Sequence, residues 1–395
     1  MDRPKVPFLS MEITLNCNLN CTICCRPKEL IRDSLTSEQI KDIIRCAGLF
    51  VDDIIFSGGE PTIDNHLVKY LDCVPRGKGV IILTNGTTLA SETVKKEILP
   101  RISELRVSID DPVDQAFSFY RLYSNPKEIF ENLITVRREF PSLRIVVTSV
   151  VNSFLLDHIE DFYATVTRED LKINALRIIP QIYYKGRAPR AISAGQWGAV
   201  NFQKAGKVFG SLVRNYLRGE RDFDLDIQHF FSSVIIGSGY QIETFNIEES
   251  PCEYQESLYI TNQGDLVLCP LANYKIANIR DFEKTEDFIT QRFNLDVVSI
   301  HPFKKLKGFD KQQCLSCIFR NLCGFGCPAM SEDICGDAKF ADPIRCSFAN
   351  IWEREILPIL PENLQEQFRE SLYQDGARPV EFPDVMAVLK AFKNA

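Results

Sequence analysis

The sequence predicts an α/β fold: a partial (β/α)6 barrel of the TIM type, followed by a smaller cysteine-rich domain. Three observations point to it. Six short β-branched runs alternate with amphipathic stretches through the first half of the chain, as parallel strands with helical crossovers do. Six units fall short of the eight of a closed barrel, so one side stays open. Beyond residue 250, cysteines and loop residues replace the alternating pattern.

The strands read as Phe8–Thr14, Asp53–Ser57, Val80–Thr84, Leu105–Ile109, Arg144–Val150 and Ala175–Ile179. The first helix opens at Thr36, where a hydroxyl residue followed three positions later by Gln39 makes a capping box. Ile40, Ile43 and Ile44 then mark its apolar face. Further helices cover Leu67–Cys73, Pro126–Arg138, His158–Thr167 and Ala194–Tyr216. The barrel thus occupies residues 1–217, and the mixed, charged stretch 218–250 reads as a bridge. A cysteine-rich domain spans 251–350, with one hairpin, Leu258–Thr261 and Leu266–Leu268, around Asn262-Gln263-Gly264-Asp265. The tail, 351–395, reads as helical and is broken by Pro358, Pro361, Pro379 and Pro383.

The 395 residues carry 46 Lys and Arg against 53 Asp and Glu, a net charge of −7. That balance gives no electrostatic reason to expect nucleic acid or an anionic membrane as partner. No run of about 18 apolar residues exists, and the N-terminus lacks the apolar core of a signal peptide. The expected location is therefore the cytoplasm. In a reducing compartment the 14 cysteines are metal ligands or free thiols rather than disulfides. Ten of them fall into two spaced arrays, whereas Cys46 and Cys73 lie on apolar helix faces as small hydrophobes.

The first array, Cys17-Asn-Leu-Asn-Cys21-Thr-Ile-Cys24, supplies three thiolates just after the first strand, at the mouth where barrel enzymes place their chemistry. A [4Fe–4S] cluster held by three ligands keeps one iron open to a small molecule. A structural zinc site would need a fourth ligand, and only the adjacent Cys25 offers one locally. Further motifs follow at successive strand ends: Gly58-Gly59-Glu60-Pro61, Thr84-Asn85-Gly86-Thr87, Val107-Ser108-Ile109-Asp110, then Asn152 and Arg177. With these the chain resembles the radical S-adenosylmethionine (radical SAM) superfamily over roughly residues 8–190. The resemblance implies that Gly58, Gly59, Glu60 and Pro61 bind the methionine amino group of the cosubstrate, with Glu60 pairing its ammonium. It implies an adenine contact for Ile23 and cosubstrate contacts for Asn85, Ser108, Asp110, Asn152 and Arg177. The implied reaction is reductive cleavage of S-adenosylmethionine to a 5′-deoxyadenosyl radical that abstracts a substrate hydrogen. A flavodoxin- or ferredoxin-type partner would donate the electron.

The second array reads Cys252, Cys269, Cys314-x2-Cys317-x5-Cys323-x3-Cys327 and Cys346. It is similar to the seven-cysteine SPASM pattern of radical enzymes that modify peptides. By that resemblance Cys314, Cys317, Cys323 and Cys346 hold a distal auxiliary [4Fe–4S] cluster, and Cys252, Cys269 and Cys327 a proximal one. That makes three clusters, the proximal one either open at one iron or completed by Cys335. Candidates for substrate contact or proton exchange are Tyr183, Tyr184 and Arg187 beyond the sixth strand, with Glu253 and Asp265 near the proximal ligands. Sulfatase-maturing relatives carry aspartate after the cysteine equivalent to Cys269; here Pro270 follows, which argues against that activity. Seven residues precede the first strand, too few for a winged-helix peptide-recognition domain ahead of it. The expected enzyme matures a ribosomally made peptide by a thioether, a C–C crosslink or epimerisation. The alternative acts on a small molecule, as a sugar or nucleoside epimerase, dehydrogenase or dehydratase. A non-enzymatic iron–sulfur or zinc protein is the third reading.

Overall fold

Each β-branched run of the first half becomes a strand because it offers one apolar face to the helices outside it and one polar face to the barrel interior. The computed structural model describes residues 6–21, 24, 26, 34–110, 125–150, 153–179, 202–218, 223–227, 234–236, 246–248, 257–269, 274–294, 302–343, 345–346, 349 and 352–373. Strands β1 (Val6–Thr14), β2 (Val51–Gly58), β3 (Gly79–Thr84), β4 (Glu104–Ser108), β5 (Arg144–Val150) and β6 (Ala175–Ile179) lie within two residues of their expected bounds. They pair in sequence order, all parallel. On β4, Leu105 and Val107 are buried in the core with Ile109 just beyond them, while Glu104, Arg106 and Ser108 point to the opposite, concave face.

Helices pack on the convex face. Helix α1 (Ser37–Ala47) begins with the expected box: Thr36 Oγ1 accepts from Gln39 N at 3.2 Å, and Gln39 Oε1 from Thr36 N at 2.9 Å. Its Ile40, Ile43 and Ile44 are buried. Helix α2 (Leu67–Leu71) follows β2, and α3 (Pro126–Glu139) starts on Asn125 with proline at its first position. Helix α4 (Ile159–Val166) precedes β6, and α5 (Phe202–Arg218) follows it. The core lies between this helical layer and the sheet, so the concave side is left for polar groups.

The stretch read as a bridge does more than connect. It holds β7 (Asp224–Ile227), which runs parallel to β6 and extends the barrel by a seventh strand, and β8 (Val234–Ile236), antiparallel to β7. The other edge is covered too. The expected hairpin forms as β9 (Leu258–Ile260) and β10 (Asp265–Val267), with β11 (Lys275–Asn278) beside it, and β9 pairs parallel with β1. Eleven strands therefore form one sheet, ordered β11-β10-β9-β1-β2-β3-β4-β5-β6-β7-β8. The described part of the tail ends in α6 (Glu362–Ser371). Among the described residues no helix is long and apolar enough to cross a membrane.

Candidate active site

The three front cysteines lie on the loop that leaves β1 at the barrel mouth. Cys17 is exposed, and Cys21 and Cys24 are half-buried. Cys17 Sγ accepts from Leu19 N (3.4 Å) and Asn85 Nδ2 (3.9 Å), and Cys24 Sγ accepts from Arg26 N (3.4 Å). Burial pushes the Cys17 thiol up, and the Leu19 N–H and the Asn85 amide pull it back. Arg26 also pairs with Glu12 of β1, tying the far end of the loop back to the strand that launches it.

Gly58 and Gly59 bring the end of β2 against the chain entering this loop. Gly59 N donates to Thr14 O at 2.7 Å and Glu60 N to Asn16 O at 2.8 Å. A Cβ at Gly58 would stand 2.1 Å from Thr14 O, and one at Gly59 2.2 Å from Asn16 O. Gly58 also has a φ of +136°, which a side chain would strain. Glu60, 1% exposed, then binds the next strand end. Its Oε1 accepts from Thr62 N (3.1 Å), Thr62 Oγ1 (2.5 Å) and Thr84 Oγ1 (2.7 Å), and its Oε2 from Asn85 N (2.6 Å). Burial pushes the Glu60 pKa up, and these donors pull it back. Pro61 is buried behind it. Asn85 closes the circle, its Nδ2 donating to Asn18 Oδ1 (2.9 Å) as well as to Cys17. The motif residues Gly58, Gly59, Glu60 and Asn85 are thus joined to the cysteine loop in one network. Thr84, from the same motif as Asn85, belongs to it as well, as do Asn18 and Thr62, which only their nearness to the motifs marks in the sequence.

Ser108 sits at the end of β4 beside Thr148 of β5. Asp110, fully buried, accepts from Val150 N at 2.9 Å. Arg177 is on the concave face of β6, where its Nε pairs with Asp226 of β7 at 2.7 Å. Asp226 is 5% exposed, and its Oδ1 has no hydrogen-bond partner among the described residues. Nearer the strand starts, Arg106 pairs with Glu104, and Arg144 with Glu104 (3.0 Å) and Asp224 (3.3 Å). The interior is therefore charged on both sides of the sheet centre. Asp224 and Asp226 escaped the sequence reading because so short and charged a run does not look like a strand; its period-two alternation was the available signal. Ile23, Asn152, Tyr183, Tyr184, Arg187, Cys252, Glu253 and Pro270 lie outside the described residues. Asp265 is on β10, where its carboxylate accepts from Asn278 Nδ2 (2.7 Å) and pairs with Lys275 (3.6 Å).

Behind the barrel, Cys314, Cys317, Cys323 and Cys346 line one cavity together with Arg320 and Asp342. Burial pushes the Cys314 thiol up to about 11 and the Cys323 thiol up to about 12, so without a metal both are neutral at ordinary pH. Among the described residues no three Cys, His, Asp or Glu side chains are gathered closely enough for a single metal ion. Four thiols around one cavity are the donor type an iron–sulfur cluster takes. A buried donor is ready for it: Arg320 Nε has no hydrogen-bond partner among the described residues, while its guanidinium lies 3.3 Å above the Tyr373 ring. Gly324, Phe325 and Gly326 follow Cys323 with φ of 61°, 64° and 74°, a left-handed run that turns the chain away before Cys327. Cys327 is not among the residues lining the cavity, and its electrostatic neighbours include Asp342 and Cys269. Cys335 ends the helix that Cys327 begins, eight residues and about 12 Å of helix away. Its electrostatic neighbours are Asp342 and Lys311. Cys46 and Cys73 pack against the core, as their helix faces suggested.

Comparison with known proteins places this geometry. Residues 11–166 match the family model described as the Radical SAM superfamily. The chain is similar to GTP 3′,8-cyclase of Peptoclostridium acidaminophilum, 22% identical over 290 residues, or 72% of this chain and 86% of that one. Three further relatives are matched over 38%, 61% and 57% of their own length. It is also similar to PqqA peptide cyclase of Bradyrhizobium diazoefficiens, 23% identical over 355 residues, or 87% of this chain and 86% of that one. Among solved structures, Streptococcus suis SuiB shares the fold at 15% identity. With S-adenosylmethionine bound, the TM-score is 0.63 over 86% of this chain and 77% of SuiB; with precursor peptide SuiA bound, it is 0.60 over 86% and 76%.

Proposed function

We propose that this chain, which carries a radical SAM domain across residues 11–166, couples that domain to a SPASM-type rear unit and modifies a ribosomally made peptide. The observation that carries the reading is the pairing of a three-thiol loop at the barrel mouth with a separate four-thiol cavity behind it. Similarity to a peptide cyclase along 87% of the chain supports the peptide as substrate class. In this reading Cys17, Cys21 and Cys24 hold the front cluster, Cys314, Cys317, Cys323 and Cys346 a distal one, and Cys252, Cys269 and Cys327 a proximal one. When bound, the front cluster and S-adenosylmethionine supply a one-electron route to hydrogen abstraction from an unactivated C–H. The protein's part is to hold and orient. The Gly58–Pro61 turn positions the methionine end of the cosubstrate, and Ser108 and Asp110 at the end of β4, with Arg177 on the concave face, its remainder. A flavodoxin- or ferredoxin-type protein delivers the electron.

Similarity to a GTP 3′,8-cyclase over 86% of that relative supports a second reading, a small nucleoside-like substrate held by the charged interior. Anaerobic reconstitution with iron and sulfide, then reduction in the presence of S-adenosylmethionine, tests the class. 5′-Deoxyadenosine should form with the native chain and not with Cys17, Cys21 and Cys24 changed to Ala. Mass spectrometry of peptides encoded beside the gene then separates the readings. Loss of two hydrogens, or an altered stereocentre, upholds the peptide; consumption of GTP or a nucleoside with no peptide changed overturns it.

A further inference from the structure

We propose that Lys311 is the built-in counter-cation of the rear iron–sulfur centres and raises their reduction potentials. The proposal rests on the rear-array reading above. Lys311 is 0% exposed, among the largest fully buried side chains of the protein. Its Nζ donates to Ser331 Oγ at 2.9 Å and Phe340 O at 2.6 Å, both neutral acceptors. An ammonium buried on neutral acceptors alone is strongly disfavoured, so the site calls for an anion close by.

The lysine's attachments show where that anion belongs. Lys311 O accepts from Cys314 N at 2.8 Å, and Ser331 Oγ donates to Cys327 O at 3.0 Å. One residue therefore spans the turn that carries Cys314 and the helix start that carries Cys327, which fall to the two different ligand sets. The electrostatic neighbours of the ammonium are Cys314, Asp342, Cys327 and Cys323. Three of these four are thiols that ligation converts to thiolates. The fourth, Asp342, has its oxygens held by Cys327 N and Arg345 N, each at 3.1 Å. A thiolate-ligated cluster gains one more negative charge on reduction, and a fixed cation beside it favours that state.

The test uses the full chain with Cys17, Cys21 and Cys24 changed to Ala, so that only rear centres contribute, reconstituted anaerobically and titrated potentiometrically under EPR. At the poise where this parent is half reduced, Lys311→Met should lower the reduced-to-oxidised ratio at least tenfold, equivalent to about 59 mV for a one-electron couple. Lys311→Arg should restore it. A Lys311→Met protein with full iron and an unchanged midpoint overturns the proposal, because a purely structural cross-link would behave that way. If Lys311→Met holds no iron, Lys311→Arg decides: recovered iron upholds a requirement for charge, and iron lost again overturns it. A parent without rear iron overturns both this proposal and the rear-array reading, whereas an unchanged midpoint leaves that reading standing.

Discussion

Glu60 and the two glycines before it show how few atoms set the mouth of the barrel. A methyl group at Gly59 has nowhere to go, because the atoms it meets are the backbone oxygens of Asn16 (2.2 Å) and Leu15 (2.6 Å). Gly59→Ala is expected to lower stability by about 1–3 kcal/mol, read as a shift in the urea midpoint, and to weaken S-adenosylmethionine binding measured by calorimetry. Glu60→Gln keeps the shape but turns an amide N–H₂ toward the Asn85 N–H or the Thr62 and Thr84 donors. Leaving those donors unmet should cost about 1–3 kcal/mol. Unchanged stability in that variant would show that the carboxylate is not the strut described here. The motif itself was legible as a string of letters, but its partners were not: Thr62 looks like an ordinary loop threonine, and Asn18 like spacing between cysteines. Lys311 was less legible still, since a lysine in a cysteine-rich loop is ordinarily solvated.

At the level of elements, the six strands and five of the helices were readable because their apolar residues recur at two distinct periods. The capping box of α1 and the proline start of α3 follow from local chemistry alone. What holds α3 down does not. Arg137, 8% exposed, sends Nε to Leu171 O (3.3 Å), Nη1 to Pro141 O and Leu143 O (both 2.9 Å) and Nη2 to Asn174 Oδ1 (2.9 Å). One guanidinium thus fastens the helix to the approaches of β5 and β6. Arg137→Met is expected to destabilise by about 3 kcal/mol, since it strands several buried oxygens; a urea midpoint within error of the parent would refute that. Strand β7 was missed for the complementary reason. Asp224 and Asp226 face the barrel interior, where charge is tolerated, so the usual mark of a buried strand is absent.

Across the whole molecule the two cysteine-bearing regions meet on a single strand. Leu9, Ser10 and Met11 of β1 pair with Leu258, Tyr259 and Ile260, and Asn262 N and Nδ2 reach Glu12 across 250 residues of sequence. Leu35 N in turn donates to Asn262 O at 2.8 Å. No pattern in the sequence announces this pairing, because register between segments so far apart leaves no local trace. Removing residues 251–395 would bare the edge of β1, and an uncovered strand edge recruits other chains. The shortened protein is expected to elute as aggregate in size-exclusion chromatography, where the full chain elutes as a discrete species. The same arrangement bears on biosynthesis. The opening segment leaves the ribosome first, yet its neighbour emerges only after some 250 more residues, roughly 10–50 seconds later at ordinary elongation rates. Through that interval a nascent chain holds the unprotected thiols of Cys17, Cys21, Cys24 and Cys25 beside an unfinished sheet, so oxygen and chaperone supply during translation should govern yield more than conditions during purification.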